Sequence, residues 1–389
     1  MFRGLKSEPV PYPAMWHTTT RQRLELLAQP KDLKIAWLYD TIDTSTFRYR
    51  VFNMIENVNA NSQAVGTWFY STEIEALSDR LDDLDTLIIC RVRYSLPVIT
   101  LITRARNKGV RVLFDCDDLV FDERFVHLIM HTLDVEPTNA GFDWWFSYIG
   151  RIGAVARLCE GAIVSTPDLA DRMRDYLRTD DVSIVPNFLN RAQQETSTRL
   201  LEDKRRENFS SDGTITIGYF SGTPSHNRDF AIAAPAIARL MKSDPTLRLR
   251  VVGYLDGLGM FEDVKDRLEV MPLQDWIVLQ NVIAEVEINI APLQQNIFTN
   301  CKSVLKYFEA AIVGTWTIAS PTRPFLSAIP DESMGYIADN HEWEAIILKA
   351  IQLFRNGNFS DYLENAARKA NEAYRWNGYA SHILAAAFK

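Results

Sequence analysis

Short apolar runs alternate with helical patterns along most of the chain. In the first half the runs lie at 34–40, 64–70, 86–92, 110–117, 161–167 and 182–187. The alternation restarts after residue 213, with runs at 214–222, 247–254, 268–272, 286–293 and 315–320. Continuous apolar strands separated by helices are typical of parallel sheets covered on both faces. The pattern therefore predicts an α/β protein with two doubly wound, Rossmann-like domains in tandem.

The same pattern predicts the domain boundaries. Residues 1–30 contain several prolines and no apolar run, so we expect an N-terminal tail. The first domain would span 31–188, a charged connection with some helix 189–212, the second domain 213–372, and a final helix 373–389. Ligands of doubly wound sheets bind at the carboxyl ends of the strands, so two facing domains would hold a ligand in the cleft between them.

Composition narrows the function classes. The 389 residues carry a formal net charge of −8, which argues against a general nucleic-acid binder. No apolar run is long enough for a membrane span and the N-terminus lacks a signal-peptide core, so we expect a cytoplasmic protein. The four cysteines form no CxxC pair, which favours reduced and mostly buried thiols: Cys90, Cys116, Cys159 and Cys301.

The stretch 300–314, NCKSVLKYFEAAIVG, has the spacing of an amphipathic helix. Its polar face carries Lys302, Lys306 and Glu309, and Thr299 or Asn300 is a candidate N-cap. Two lysines one turn apart repel each other, so either Glu309 and water screen them or an anion lies between them. A diphosphate at the helix start, with Glu309 accepting hydrogen bonds from ribose hydroxyls, would explain the face; a solvated helix face is the alternative.

The stretch 217–240 predicts a strand, a loop of small residues and a helix. Gly222 would let the backbone approach a ligand closely, and Arg228 stands near the helix start. That arrangement suits a phosphate, although a plain turn with a solvated arginine explains it equally well.

The second half resembles the retaining GT-B glycosyltransferases of the family-4 type, also called group 1. The resemblance is carried by VEINIAPL (286–293) followed by NIFTNCKSVLKYFEAAIVGTWTIAS (296–320), and extends over about residues 31–389. It implies that Glu309 binds the ribose of a nucleotide-sugar donor, and that Lys302 and Ser303 lie at its diphosphate or sugar. It also implies that Gly222 and Arg228 lie at the phosphates and that the last helix crosses back to the first domain.

Further expectations follow from the resemblance. The function would be transfer of a sugar, with retention of configuration and without a metal or other cofactor, to a glycan or lipid-linked acceptor in cell-surface polysaccharide synthesis. Arg228, Lys302, Lys306 and the helix amides would stabilise the leaving diphosphate, and Asp117 or Asp118 could assist. A sugar-nucleotide epimerase and a non-catalytic glycan-binding module stay open. So do peripheral association with the inner face of a membrane and the oligomeric state.

One position departs from the family pattern. The family often has a second glutamate eight positions before the ribose ligand, beside the donor sugar, where this chain has Cys301. A different group must therefore contact the donor hexose, and the backbone amides of 299–303 are candidates.

The first half would hold the acceptor. Asp115, Asp117 and Asp118 follow a predicted strand, where they could bind acceptor hydroxyls, cap a loop or hold a divalent metal. The stretch DTSTFRYRV (43–51) after the first strand resembles the family's first loop, which faces the donor phosphates, so Arg48 and Arg50 are candidates for that contact. Surface arginines explain the stretch equally well.

Two further clusters are ambiguous. His127 and His131 have the spacing of a zinc pair, but with no third ligand nearby we favour ordinary, partly buried histidines. The aromatic cluster FDWWFSYIG (142–150) is explained by core packing or, in part, by a sugar site.

Overall fold

Two six-stranded sheets form the framework of the protein in a computed structural model, which describes residues 1–2, 17–41, 45–222 and 226–389. The strands of the first sheet are β1 Leu33–Tyr39, β2 Ala64–Tyr70, β3 Thr86–Cys90, β4 Arg111–Cys116, β5 Gly161–Val164 and β6 Val182–Ile184. Those of the second are β7 Ile215–Ser221, β8 Leu247–Gly253, β9 Leu268–Met271, β10 Ile288–Ala291, β11 Trp316–Ala319 and β12 Tyr336–Ile337. All of these strand pairs are parallel.

Helices connect the strands, as the alternating pattern predicts. In the first half they are α1 Thr20–Leu27, α2 Asn53–Asn59, α3 Ile74–Ser78, α4 Leu96–Asn107, α5 Val126–Thr132, α6 Asn139–Ala156, α7 Pro167–Leu177 and α8 Arg191–Arg206. In the second half they are α9 Asn227–Ser243, α10 Trp276–Glu285, α11 Ile297–Asn300, α12 Leu305–Ala311, α13 Arg323–Ala328, α14 Trp343–Arg355, α15 Ser360–Tyr374 and α16 Ala380–Ala387. A π-helical segment, Arg48–Phe52, leads into α2.

Strand order defines where each sheet should bind a ligand. The first sheet runs β2-β1-β3-β4-β5-β6, and the second runs β12-β11-β10-β7-β8-β9. The order therefore reverses between β1 and β3 in the first sheet, and between β7 and β10 in the second. In open α/β sheets the crevice outside the carboxyl ends of the strands at such a point is the usual binding site.

The chain ends on the first sheet rather than the second. Ile383, Ala386 and Ala387 of α16 belong to the same buried cluster as Ile35 and Ile88 of β1 and β3. The hydroxyl of Thr86 also donates to the carbonyl of Ala387 at 2.8 Å. A C-terminal helix that covers the first sheet ties the two halves together, because α15 before it packs in the core of the second half.

Two segments differ from the prediction. Residues 20–27, assigned to the tail, form α1, whose Arg23 donates to the Trp68 carbonyl and pairs with Glu73. The predicted helix over 300–314 begins only at Leu305, after the separate short helix α11. Neither Thr299 nor Asn300 caps it. Within the described part of the chain, no helix is long and apolar enough to cross a membrane.

Candidate functional site

A cavity of about 780 Å³ lies between the two halves at the carboxyl ends of their strands. From the first sheet it is lined by Tyr39 and Asp40 at the end of β1 and by Arg91 directly after β3. From the second sheet it is lined by residues 220–222, at and just after the end of β7, so Gly222 is part of its wall. The ligand-binding points of both sheets therefore open into one cavity.

Arg48 is a buried cation in the wall of this cavity, with 6% of its surface exposed. Its guanidinium carbon lies 4.3 Å from the ring centroid of Tyr49 and 5.5 Å from that of Trp276, and Nη2 lies 3.2 Å from a Glu309 oxygen. Among the residues that the structure describes, Nε and Nη1 have no hydrogen-bond partner. Buried guanidinium groups are normally satisfied, so Arg48 has unused capacity for an anion in the cavity.

Glu309 joins the two halves at the floor of the cavity. Its Oε1 accepts hydrogen bonds from Arg48, from the hydroxyl of Tyr49 and, at 3.1 Å, from the amide of Gln193 on α8. Burial raises the pKa of Tyr49 well above its ordinary value, so this hydroxyl stays protonated and remains a donor. All three donors use one oxygen, and no donor from the described residues reaches the second oxygen of this cavity-lining carboxylate, which leaves it for a ligand.

Lys306, in the first turn of α12, lines the same cavity. Its ammonium group donates to the carbonyl of Phe220 at the end of β7 and lies 4.9 Å from the ring centroid of Tyr219. Burial lowers the pKa of Lys306 to about 8. Lys306 is therefore not on a freely solvated helix face, and it brings a cation to the end of the strand.

Lys302 lies before α12 rather than one turn from Lys306 on it. Its ammonium group is 3.6 Å from Asp118 Oδ1 and 4.6 Å from the ring centroid of Phe298. Asp118 belongs to the first half, as does Asp117, which accepts from Arg91 at 3.1 Å. Burial raises the pKa of Asp117, and the Arg91 charge opposes that shift. A charged bridge across the cavity is therefore formed by four side chains: Lys302, Asp118, Asp117 and Arg91.

His226, just before α9, is a cavity residue held by an acidic partner. Its Nδ1 lies 3.0 Å from Asp229 Oδ2, and the other oxygen of Asp229 accepts from the backbone N–H of Gln294 at 3.0 Å. Burial lowers the pKa of His226. The carboxylate fixes the orientation of the imidazole, because Asp229 is itself held by Gln294.

The structure places two predicted site residues elsewhere. Arg228 does not line the cavity: its Nε pairs with Asp134 at 2.7 Å and its Nη1 donates to the His131 carbonyl at 2.9 Å. Arg228 therefore links the two halves at their rim, and the contact with a phosphate that the sequence predicts stays a prediction that this position does not favour. The hydroxyl of Ser303 accepts from Asn187 at 3.1 Å and lies outside the cavity wall.

Arg50 and Asp115 form a structural ion pair in the core of the first half. Both side chains are completely buried, and Nε and Nη2 of Arg50 donate to the two Asp115 oxygens at 2.8 and 2.9 Å. The Val185 carbonyl accepts a further hydrogen bond from Arg50. With its donors used in this way Arg50 cannot serve as a phosphate ligand, which corrects that expectation, and Asp115 is not available to an acceptor or a metal.

The structure gives the positions of the two ambiguous clusters, the histidine pair and the aromatic stretch 142–150. No group of three or more potential metal ligands occurs in the described ranges, and His131 contacts Arg228. In the aromatic cluster, Trp144, Trp145 and Tyr148 line the cavity.

Residues 223–225 of the predicted phosphate loop and 42–44 before Arg48 lie outside the described residues.

The sequence pattern does not indicate three of the cavity residues: Arg91, His226 and Tyr49. Arg91 has a φ of 52°, an unusual backbone for a non-glycine residue, and such residues concentrate at functional sites. No local sequence pattern announces that conformation, because Arg91 follows an ordinary apolar strand. Tyr49 lies between the two arginines that were considered, and only the π-helical segment shows which of the three side chains face the cavity.

Comparisons with known proteins show the fold. No protein-family model and no curated protein matches the chain. Among solved structures, Anabaena HepE in complex with UDP-glucose superimposes with a TM-score of 0.61 at 9% identity, over 91% of this chain and 98% of HepE. WaaG, a glycosyltransferase involved in lipopolysaccharide biosynthesis, gives 0.57 at 13% identity, over 91% and 98%.

Sucrose-phosphate synthase from Thermosynechococcus elongatus also superimposes with a TM-score of 0.57, at 14% identity, over 91% of this chain and 97% of the synthase. Each similarity runs through both halves of the molecule, as the predicted architecture requires. The prediction of two Rossmann-like domains facing across a cleft is therefore confirmed, and the chain has the GT-B fold.

Proposed function

We propose that the protein is a glycosyltransferase that moves a sugar from a nucleotide-diphosphate sugar to a hydroxyl of a glycan or lipid-linked saccharide. The observation that carries the proposal is the cavity itself: it joins the ligand-binding points of both sheets, and Arg48 in its wall has buried N–H groups without a partner among the described residues. The complex of HepE with UDP-glucose and the role of WaaG in lipopolysaccharide biosynthesis support the same assignment.

In this proposal the second half binds the donor. Glu309 would accept hydrogen bonds from the ribose hydroxyls through its second oxygen, while its first stays with Arg48 and Tyr49. Lys306, Lys302 and Arg48 would neutralise the diphosphate, and the backbone at Gly222 would approach it closely. The base and the sugar are not specified by these contacts.

The proposed chemistry relies on stabilising the leaving group. Breaking a glycosyl–phosphate bond develops negative charge on the departing diphosphate, and preorganised cations in a partly water-excluded site lower the barrier for that step. The acceptor hydroxyl would attack from the face that the diphosphate leaves, which gives retention of configuration, and the leaving phosphate would take its proton. Such a reaction requires neither a metal nor a side-chain general base; Asp117 could orient the acceptor hydroxyl.

A binding experiment followed by a turnover experiment tests the proposal. Isothermal titration calorimetry with UDP, GDP, ADP and dTDP should give one clear preference. The corresponding nucleotide sugar should then be consumed, with ¹H NMR showing whether the sugar is hydrolysed, transferred or converted into its epimer. Absence of binding to all four nucleotides would refute the proposed function, and interconversion of free nucleotide sugars would make the protein an epimerase.

A further inference from the structure

Three aromatic side chains of α6, Trp144, Trp145 and Tyr148, form an aromatic ledge in the wall of the cleft. The rings of Trp144 and Tyr148 are stacked, with centroids 5.0 Å apart and planes 6° from parallel. Trp145 contacts both rings edge-on, at 5.0 and 6.0 Å. The ledge is a preformed flat surface, because each ring restrains the others.

The ledge is more exposed than core packing would require. Trp144 is 54% exposed, whereas the buried residues of α6 lie in its C-terminal half: Ile149, Ile152, Gly153, Val155 and Ala156. Leaving a large apolar ring in water forgoes the stabilisation that its burial would give. An exposed tryptophan stacked on a half-buried tyrosine beside a cavity is therefore better explained by a ligand than by folding.

The polar surroundings of the ledge favour a neutral ligand rich in hydroxyls. The same cavity wall contains the carboxylates of Asp40, Asp117 and Asp118. Arg93, whose guanidinium carbon lies 5.9 Å from the Tyr148 ring centroid, is already paired with Asp40 at 3.0 Å. Asp117 and Asp118 are likewise paired, with Arg91 and Lys302. Carboxylates within ion pairs still accept hydrogen bonds from hydroxyls, and an aromatic face packs against the C–H face of a sugar ring.

The donor nucleotide fits the ledge less well. The cavity residues Lys302 and Lys306 belong to the second half, as does Glu309, whereas the ledge and the three carboxylates belong to the first. Beside the ledge, Arg93 and Arg91 are already paired with Asp40 and Asp117, so a diphosphate there would compete with these ion pairs. A saccharide only needs to exchange hydrogen bonds with the paired groups.

We propose that the aromatic ledge binds a pyranose ring of the acceptor, so that the acceptor is a saccharide rather than a simple alcohol or a bare lipid phosphate. The inference rests on the proposed glycosyl transfer. Trp144 would determine acceptor specificity: its ring supports the sugar, and the neighbouring carboxylates select the orientation of its hydroxyls.

The test uses the 389-residue chain with UDP on a microarray of defined oligosaccharides. Trp144→Ala should lose the glycan signals that the wild type gives, with affinity for the best of these glycans roughly tenfold weaker or more, as loss of one ring contact implies. Trp144→Phe should restore part of the signal. Phe146→Ala is the matched control, because Phe146 is 48% exposed on the same helix but does not line the cavity.

Calorimetry with UDP on the same variants separates this inference from the proposed function. UDP affinity should be equal in the wild type, Trp144→Ala and Phe146→Ala. Unchanged glycan signals in Trp144→Ala, a wild type that binds UDP but no glycan, or a loss of UDP affinity in Trp144→Ala would each overturn the ledge as an acceptor site. Failure of every nucleotide to bind would refute the transferase while a Trp144-dependent glycan signal still upheld saccharide binding.

Discussion

Replacement of Lys306 by methionine should lower the affinity for UDP while changing the stability of the fold little. The change removes the charge but keeps an unbranched side chain, and it also removes the contact of the ammonium group with the Tyr219 ring, whose centroid lies 4.9 Å away. A hydrogen bond to a charged group contributes roughly 1.5–3 kcal/mol, which corresponds to about 10- to 150-fold in affinity. Melting temperature should change little, because loss of the hydrogen bond to Phe220 is offset by removal of a buried charge.

The pH dependence of UDP affinity gives a second, independent measure. With a pKa of about 8, Lys306 is about 90% charged at pH 7 and about 10% charged at pH 9 in the free protein. A bound diphosphate favours the charged form and raises the pKa of Lys306. At a pH above 8, binding therefore requires Lys306 to take up a proton, which lowers the affinity. Wild-type affinity should therefore fall about tenfold between pH 7 and pH 9, and Lys306→Met should show no such fall.

Isothermal titration calorimetry at pH 7, 8 and 9 measures both effects. Lys242→Met is the matched control, since Lys242 pairs with Asp263 on an exposed surface and does not line the cavity. The assignment of Lys306 to the donor site would be refuted by wild-type UDP affinity in a folded Lys306→Met protein. A pH profile that is the same in wild type and variant would refute the role of its charge.

Three further outcomes are expected. Glu309→Gln keeps one oxygen for Arg48 but offers ribose a poorer acceptor, so calorimetry should show uridine and UDP weakened alike; a loss confined to UDP would contradict the ribose assignment. Activity should survive EDTA, since the proposed cations are side chains; a loss that Mn²⁺ restores would instead indicate a metal at Asp117. Asp115→Asn leaves Arg50 buried without its counter-ion, so urea unfolding should show about 3–5 kcal/mol lost with UDP affinity unchanged, and a much smaller loss would mean that the pair is dispensable.

The fold was largely predictable because its strands are buried on both faces. The apolar runs at 34–40, 110–117 and 214–222 correspond to β1, β4 and β7 within a residue at each end. A parallel strand covered on both sides needs apolar residues at successive positions, so local composition is enough to locate it. The domain boundaries were predicted from the same alternation and stay a prediction.

The segment 296–305 was not predictable in the same way. Its apolar spacing suits one long helix, but Asn296 and Thr299 cap the separate helix α11 through each other's backbone. The carbonyl of Cys301 then accepts from Thr166 at 3.0 Å, and Ser303 binds Asn187. These hydrogen-bond partners lie more than a hundred positions away in the sequence and stabilise a non-helical backbone at 301–303. The local sequence does not indicate such contacts.

The arginines at 48 and 50 show how far residue type alone can specify a site. Both follow the first strand and both are buried, yet Arg48 faces the cavity while Arg50 reaches Asp115 in the core. The difference lies in their partners. Arg50 donates to a carboxylate, a carbonyl and a side-chain amide, whereas two nitrogens of Arg48, Nε and Nη1, have no partner among the described residues. A buried cation marks a ligand site when its hydrogen bonds are incomplete, and completeness is a property of the folded surroundings rather than of the sequence.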